Sequence, residues 1–333
     1  MDLNRLSETL CEDAVRRAAA LRISASSVGG GQLLDFGIDA PGGLAAGCLL
    51  ARICLGGLAE VQIVPERAAD FGSSAAVSVA TDHPWLACLG GQYAGWPVQV
   101  GDFFAMGSGP MRMARGCEEV LEELGLVESG GKASTAKVVG VLETEKRPTA
   151  EVVQYVAEQC GVASDAVVLA VAPVTSLSGV VQVVARSLET AMHKLHALGV
   201  DPRIVQSGFG VAPLPPPAVD MVGGIGRTND AILYGGRVTL WVDADQAEID
   251  RVGPSVPSGA SSDHGRPFAE IFKSYDYDFY KVDPQLFSPA VVTFANLRTG
   301  ISRTFGEWDS SVLHCSFAPA VAGAAPSGGE SSL

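Results

Sequence analysis

Arg186, Glu189, His193 and His196 all fall in the segment Arg186-Ser187-Leu188-Glu189-Thr190-Ala191-Met192-His193-Lys194-Leu195-His196. Arg186 and Glu189 are spaced i, i+3, so on a helix their side chains can meet. Three kinds of chemistry fit that spacing. The plainest is a solvated surface ion pair. The second is a carboxylate tuned by the adjacent guanidinium, which takes a proton from water or substrate. The third is a metal held by Glu189, His193 and His196 that activates water. Against the third, helical zinc pairs are more usually i, i+4, and Lys194 lies between the two histidines.

Other segments could hold a ligand. Gly107-Ser108-Gly109-Pro110 precedes a helical pattern, and such turns can offer backbone N–H groups to an anion. An ordinary turn is the alternative, since the segment matches neither a P-loop nor a dinucleotide fingerprint. Gly223-Gly224-Ile225-Gly226-Arg227 has a G-x-G character but is read as entering a hairpin, so a Rossmann site fails on context. In Phe272–Lys281 acids alternate with rings. A strand there would put Asp276 and Asp278 on one face and rings such as Tyr275 on the other. His83, His264 and His314 are isolated, and no G-x-S-x-G is present.

These residues need elements to position them. Apolar spacing predicts helices over 3–21, after Gly43, over 111–124 with Gly125 just past the end, and over 180–198. On the last of these, Val184, Ala185, Leu188, Ala191, Met192, Leu195 and Leu198 share one face, and Arg186, Glu189, His193 and His196 another. Thr149 is placed as the N-cap of a helix ending before Gly161. Strands are expected at 61–64, 75–80, 138–142, 166–172 and 291–295, and an extended Pro-rich connector at 211–217. Ala231–Tyr234 and Arg237–Val242 read as a hairpin turning on Gly235-Gly236. Helices mixed with hairpins, without strict alternation, point to an α+β (mixed α/β) fold.

Composition bounds the rest. The chain has 333 residues, 47% of them hydrophobic and 18% charged. That is enough apolar material for two lobes and excludes a disordered chain. The expected division is an N-terminal lobe over 1–165, a C-terminal lobe over 166–318, and a loose tail over 319–333. A net charge of −14 argues against nucleic acid as a partner, because the phosphate backbone calls for a basic surface. The richest apolar stretch, Leu44 to Ala59, carries Arg52, so no membrane span is expected. The N-terminus shows no signal-peptide pattern. Its seven cysteines are scattered without a C-x-x-C, which reads as reduced thiols in a cytoplasmic protein without structural zinc.

Several segments together resemble methenyltetrahydromethanopterin cyclohydrolases. They are Tyr93-Ala94-Gly95-Trp96-Pro97-Val98, Gly101–Pro110, Ala185–Leu195, Gly226–Gly235, Asp278–Pro284 and Leu286–Ala290. The resemblance runs from about residue 3 to 318. It implies hydrolysis of the methenyl bridge of a tetrahydromethanopterin-type carrier to the formyl derivative, in one-carbon metabolism such as formaldehyde oxidation. It also implies a cytoplasmic homo-oligomer, a trimer, with no metal or redox cofactor, and a substrate cleft between two lobes. Arg186-Ser187-Leu188-Glu189 matches the family's catalytic R-x-x-E arrangement. Residue chemistry then nominates Asn229, Asp230, Asp276 and Asp278 for the pterin edge. Ser108 and Gly109 are nominated for the cleft or an anion, and Trp96 or Tyr275 for stacking. Two other functions stay open at this stage: a metal-dependent hydrolase using Glu189, His193 and His196, and a non-catalytic protein that binds the pterin carrier.

Overall fold

A computed structural model describes residues 1–127 and 135–318, so the expected tail over 319–333 lies outside the described residues. The strands are β1 Ser24–Val28, β2 Gly31–Asp35, β3 Glu60–Pro65, β4 Ala75–Thr81, β5 Trp96–Val100 and β6 Phe103–Ser108. They continue with β7 Val138–Glu143, β8 Val167–Ala172, β9 Val205–Pro213, β10 Arg237–Val242, β11 Val291–Asn296 and β12 Ser302–Gly306. They form two six-stranded sheets, ordered β1-β2-β8-β7-β6-β5 and β12-β11-β10-β9-β4-β3. Both are mixed: β8 runs parallel to β2 and β7, and β10 parallel to β11, while the remaining pairs are antiparallel. This is the α+β build expected from the sequence. Each sheet takes strands from both sides of residue 165.

β8, Val-Val-Leu-Ala-Val-Ala, is buried at every position. A continuous apolar run suits a central strand covered on both faces. One face of the first sheet packs with Val152, Val153 and Val156 of the helix Ala150–Cys160, which ends at Gly161 in the left-handed conformation that glycine favours. The other face, with Val139, Val141 and Ala170, meets the helices Leu3–Arg16 and Leu44–Cys54.

The two helices that matter most follow β8. Leu177–Val184 lies against Leu44–Cys54, where a Cβ on Gly47 would sit 2.6 Å from Val181 Cβ. Ser187–Ala197 packs on β9 and β10 of the second sheet, and a Cβ on Gly208 would come 2.7 Å from Leu188 Cδ1. Small residues at both contacts let backbones approach closely and fix where the second helix begins.

Four expectations are corrected. The pattern over 180–198 is two helices broken at Ala185-Arg186. The pattern over 111–124 is also two, Met111–Arg115 and Glu119–Glu123, parted at Gly116, whose φ is +64°. No hairpin forms over 231–242: Met221–Leu233 is helical and leads through Gly235-Gly236 into β10. Gly223-Gly224-Ile225-Gly226, read as entering that hairpin, lies within the helix instead, where a Cβ on Gly224 would sit 2.8 Å from Val174 Cγ1. Asp276 and Asp278 are not on a strand. They lie in a turn after the helix Phe268–Ser274, where Asp276 and Tyr277 take φ of +54° and +60°. Among the described residues no helix is long and apolar enough to cross a membrane.

Candidate active site

The break between the two helices puts Arg186 at the N-cap of Ser187–Ala197. Breaking the helix frees the Ala185 carbonyl, which accepts from Gln92 Nε2 at 3.2 Å. From its cap position the Arg186 guanidinium turns away from its own helix. One nitrogen donates to the Gln92 carbonyl, and the other to Ser108 Oγ at 3.0 Å. Cys54 Sγ lies 3.8 Å from that second nitrogen and 3.2 Å from Ser108 Oγ. Four parts of the chain thus meet on one guanidinium: the end of the helix Leu44–Cys54, Gln92, the end of β6, and the helix break.

Gln92 is itself positioned by an unusual element. Trp85–Gln92 is wound as a π-helix, with Tyr93 N–H bonded to the Cys88 carbonyl at 2.8 Å. π-Helical turns are rare and often sit at functional sites. Their terminal carbonyls need donors, and two arginines supply them. Arg186 takes Gln92, and Arg112 Nη1 donates to Leu89 and Gly91 at 3.1 and 3.2 Å. Arg112 is fully buried, paired with Glu118, and lies 4.9 Å over the Tyr93 ring.

Glu189 occupies the first turn of its helix and is 5% exposed. Among the described residues no hydrogen bond or ion pair fixes its carboxylate. The surface ion pair with Arg186 allowed by the i, i+3 spacing therefore does not form. Burial pushes the Glu189 carboxyl up to about 7, while the charges of Arg186 and Arg112 pull it down. The helix N-terminus also favours the anion. The result is a carboxyl group poised between its two forms at neutrality, with no competing partner.

That shift has a stability consequence. Glu189 protonates near 4.5 when unfolded and at about 7 when folded. Stability from the proton is fully present below the unfolded value and lost as pH rises through the folded one. Glu189→Gln therefore stabilises the protein by roughly 3 kcal/mol at about pH 8, and by far less at about pH 5. Urea unfolding at both values checks this; an equal change at both contradicts it.

The histidines take other roles. His193 stacks on Tyr93 with ring centroids 4.7 Å apart, and burial pushes it down to about 4, so it is neutral. His196 bonds Glu123 Oε2 at 2.5 Å. Among the described residues no three His, Cys, Asp or Glu side chains form a group that could hold a metal ion. The structure does not bring Glu189, His193 and His196 together as one ligand set.

The remaining sequence-derived candidates make the following contacts. Ser108 belongs to the Arg186 cluster and also bonds the Val141 carbonyl at 3.3 Å. Gly109, at φ +88°, donates its N–H to the Gly91 carbonyl at 2.9 Å. Asn229 back-bonds to the Ile225 carbonyl at 2.8 Å. Asp230 is fully buried and accepts from Phe268 N–H at 2.8 Å and Ser316 Oγ at 2.6 Å. Burial raises its carboxyl to about 7. It ties two C-terminal helices to Met221–Leu233. Trp96 is fully buried, with Arg115 4.6 Å over its ring, and offers no face to solvent. The Tyr275 hydroxyl donates to Asp263 at 3.0 Å. Asp276 is exposed, and Asp278 lies 3.7 Å from Lys281 Nζ.

Sequence reasoning missed Gln92, Cys54, Arg112 and Glu143. Gln92 and Cys54 act through a backbone carbonyl and a thiol contact that no local pattern announces. Arg112 lay hidden in an apparently amphipathic helix. Glu143 is the last residue of β7, one beyond the expected strand.

Comparison with known proteins decides the family. The family model described as "Cyclohydrolase (MCH)" matches residues 2–317. The chain belongs to the methenyltetrahydromethanopterin cyclohydrolase family. It is 52% identical over 318 residues to the methenyltetrahydromethanopterin cyclohydrolase of Rhodopirellula baltica, covering 95% of each chain. It is 48% identical over 310 residues to that of Xanthobacter autotrophicus, covering 92% of this chain and 90% of the relative. It is 40% identical over 292 residues to that of Methanococcoides burtonii, covering 86% and 89%. In this cyclohydrolase-family chain the matched range takes in both sheets, the helix break and the whole Arg186 cluster.

Proposed function

We propose that this chain hydrolyses the methenyl bridge of 5,10-methenyltetrahydromethanopterin, or its dephospho form, to the formyl derivative. The observation that carries the reading is Glu189: a buried carboxyl group, free of hydrogen-bond partners among the described residues, near the Arg186 charge.

The methenyl carbon is flanked by two nitrogens that share a positive charge, so it is already electrophilic. The reaction needs a positioned water, a proton acceptor and charge balance. Under this proposal it uses no metal or redox cofactor. The water oxygen bonds the methenyl carbon and its proton passes to Glu189, while the C=N electron pair settles on nitrogen. Glu189 returns that proton to the departing nitrogen. The C–N bond breaks as the hydroxyl oxygen forms the formyl C=O, and the hydroxyl proton is released. Arg186 is a positioning and tuning partner: its charge stops the Glu189 carboxyl from rising further. Ser108 holds Arg186 in place. Asn229, Asp276 and Asp278 are proposed for the pterin edge, and a cytoplasmic homotrimer for the assembly, in one-carbon oxidation. Residue chemistry supports the first, and the family resemblance the second.

The test is loss of the methenyl chromophore on adding purified protein to the carrier. Protein-dependent loss supports the proposal, with a rate proportional to enzyme and resistant to chelation. Loss abolished by chelation favours a metal hydrolase. Binding without loss favours a carrier-binding protein.

A further inference from the structure

Arg186 is buried, and among the described residues it forms no ion pair. Its hydrogen-bond partners are the Gln92 carbonyl, Ser108 Oγ and Cys54 Sγ, and none is a carboxylate. Arg112 differs, because Glu118 balances it. On the proposed reaction a cation must also enter. Two positive charges, Arg186 and the methenyl group, would then face one carboxylate, Glu189. Burying that excess charge is strongly unfavourable.

The fold places a second carboxyl group on the same ground. Across the antiparallel β6/β7 pair, Ser108 faces Val141 and Met106 faces Glu143. Opposite residues, and residues two apart, share a sheet face. Glu143 therefore stands on the Ser108 face of the first sheet, at the end of β7. It lies within electrostatic reach of Arg186: burial raises its carboxyl, and the Arg186 charge offsets part of that rise. Like that of Glu189, its carboxylate has no hydrogen bond or ion pair among the described residues. Glu143 comes from a sheet and Glu189 from a helix, and both feel one guanidinium.

We infer that Glu143 is a specificity-determining residue, the negative charge that lets the site accept a cationic substrate beside Arg186. This rests on the cyclohydrolase reading. With Glu143 and Glu189 ionised, Arg186 and the methenyl cation are balanced charge for charge. After hydrolysis the carrier is neutral at that position, the balance tips negative, and product binding loses the attraction that held the substrate.

The test is Glu143→Gln in the full-length protein. Two constants are read: KM for the methenyl carrier, and Ki for the same carrier without its one-carbon unit. Both ligands carry the same tail, so the tail's charges cancel in the comparison. KM is expected to rise roughly tenfold to fiftyfold, from Coulomb's law at an effective dielectric constant of about 20. Ki should stay within about twofold. Glu143→Asp keeps the charge and should restore most of the KM. Glu143→Ser, a smaller neutral residue, must show the same split should the Gln variant fail to fold. An unmoved KM in an active enzyme, or KM and Ki rising together, overturns the inference alone. A wild-type protein that leaves the chromophore intact overturns the proposed reaction, and this inference with it.

Discussion

Glu189→Gln lowers turnover of the methenyl carrier by at least about 10²–10⁴ while leaving the fold intact, the range general acid–base help supplies. The amide is nearly isosteric and still buried, so little packing changes. What it loses is the capacity to take a proton from the attacking water and hand it to the departing nitrogen. Because the carboxylate accepts no hydrogen bond among the described residues, the substitution strands no donor that had relied on it. KM should move less than kcat, since the interaction removed matters most where charge and protons are moving. Steady-state rates with circular dichroism check both statements. A near-wild-type kcat removes Glu189 from the chemistry.

Arg112→Met is expected to destabilise the protein by roughly 3–5 kcal/mol, the cost of leaving one partner of a buried ion pair alone. Arg112 is fully buried, and its loss strands Glu118 and the Leu89 carbonyl near the end of the π-helix, while the Gly91 carbonyl keeps only the Gly109 N–H. Met fills part of the space without a charge. The double variant Arg112→Met/Glu118→Met removes the orphaned carboxylate and should recover a substantial part of the loss. The surviving enzyme carries a second signature. Arg112 is one of the charges holding the Glu189 carboxyl down, so its removal raises that group further. The acid limb of kcat/KM then moves to higher pH. Urea unfolding of the single and double variants checks the first effect. Equal loss in both shows that the ion pair does not govern it.

Residue type and spacing made Arg186-x-x-Glu189 legible in the sequence, because chemistry-bearing side chains at helical spacing stand out on an otherwise apolar helix. The environment that gives the pair its properties was not legible. The helix break at Ala185-Arg186 leaves no local trace: Val184, Ala185 and Leu188 are all fully buried, so the apolar spacing runs straight through it. The group that satisfies the broken end, Gln92, lies far off in sequence. Isolated strands such as β8 were readable because a continuous apolar run has few other uses. Gly223-Gly224-Ile225-Gly226 reads as the entry to a hairpin yet lies in a helix, because glycine serves chain connections and close helix contacts alike, and only the neighbours Val174 and Ala269 distinguish the two. Glu143 was invisible as a site residue because its significance comes from register across β6 and β7.

In the proposed reaction a buried carboxyl group at residue 189 acts as the base near neutrality. The most direct measurement is the pH dependence of kcat/KM for methenyl chromophore loss, in wild type and Glu189→Gln side by side. A base must be ionised, so wild-type activity falls as pH drops, with a midpoint at about 7, where burial has placed the Glu189 carboxyl. The variant is slower throughout and lacks that limb. A variant that keeps the same limb at near-wild-type rates contradicts the account.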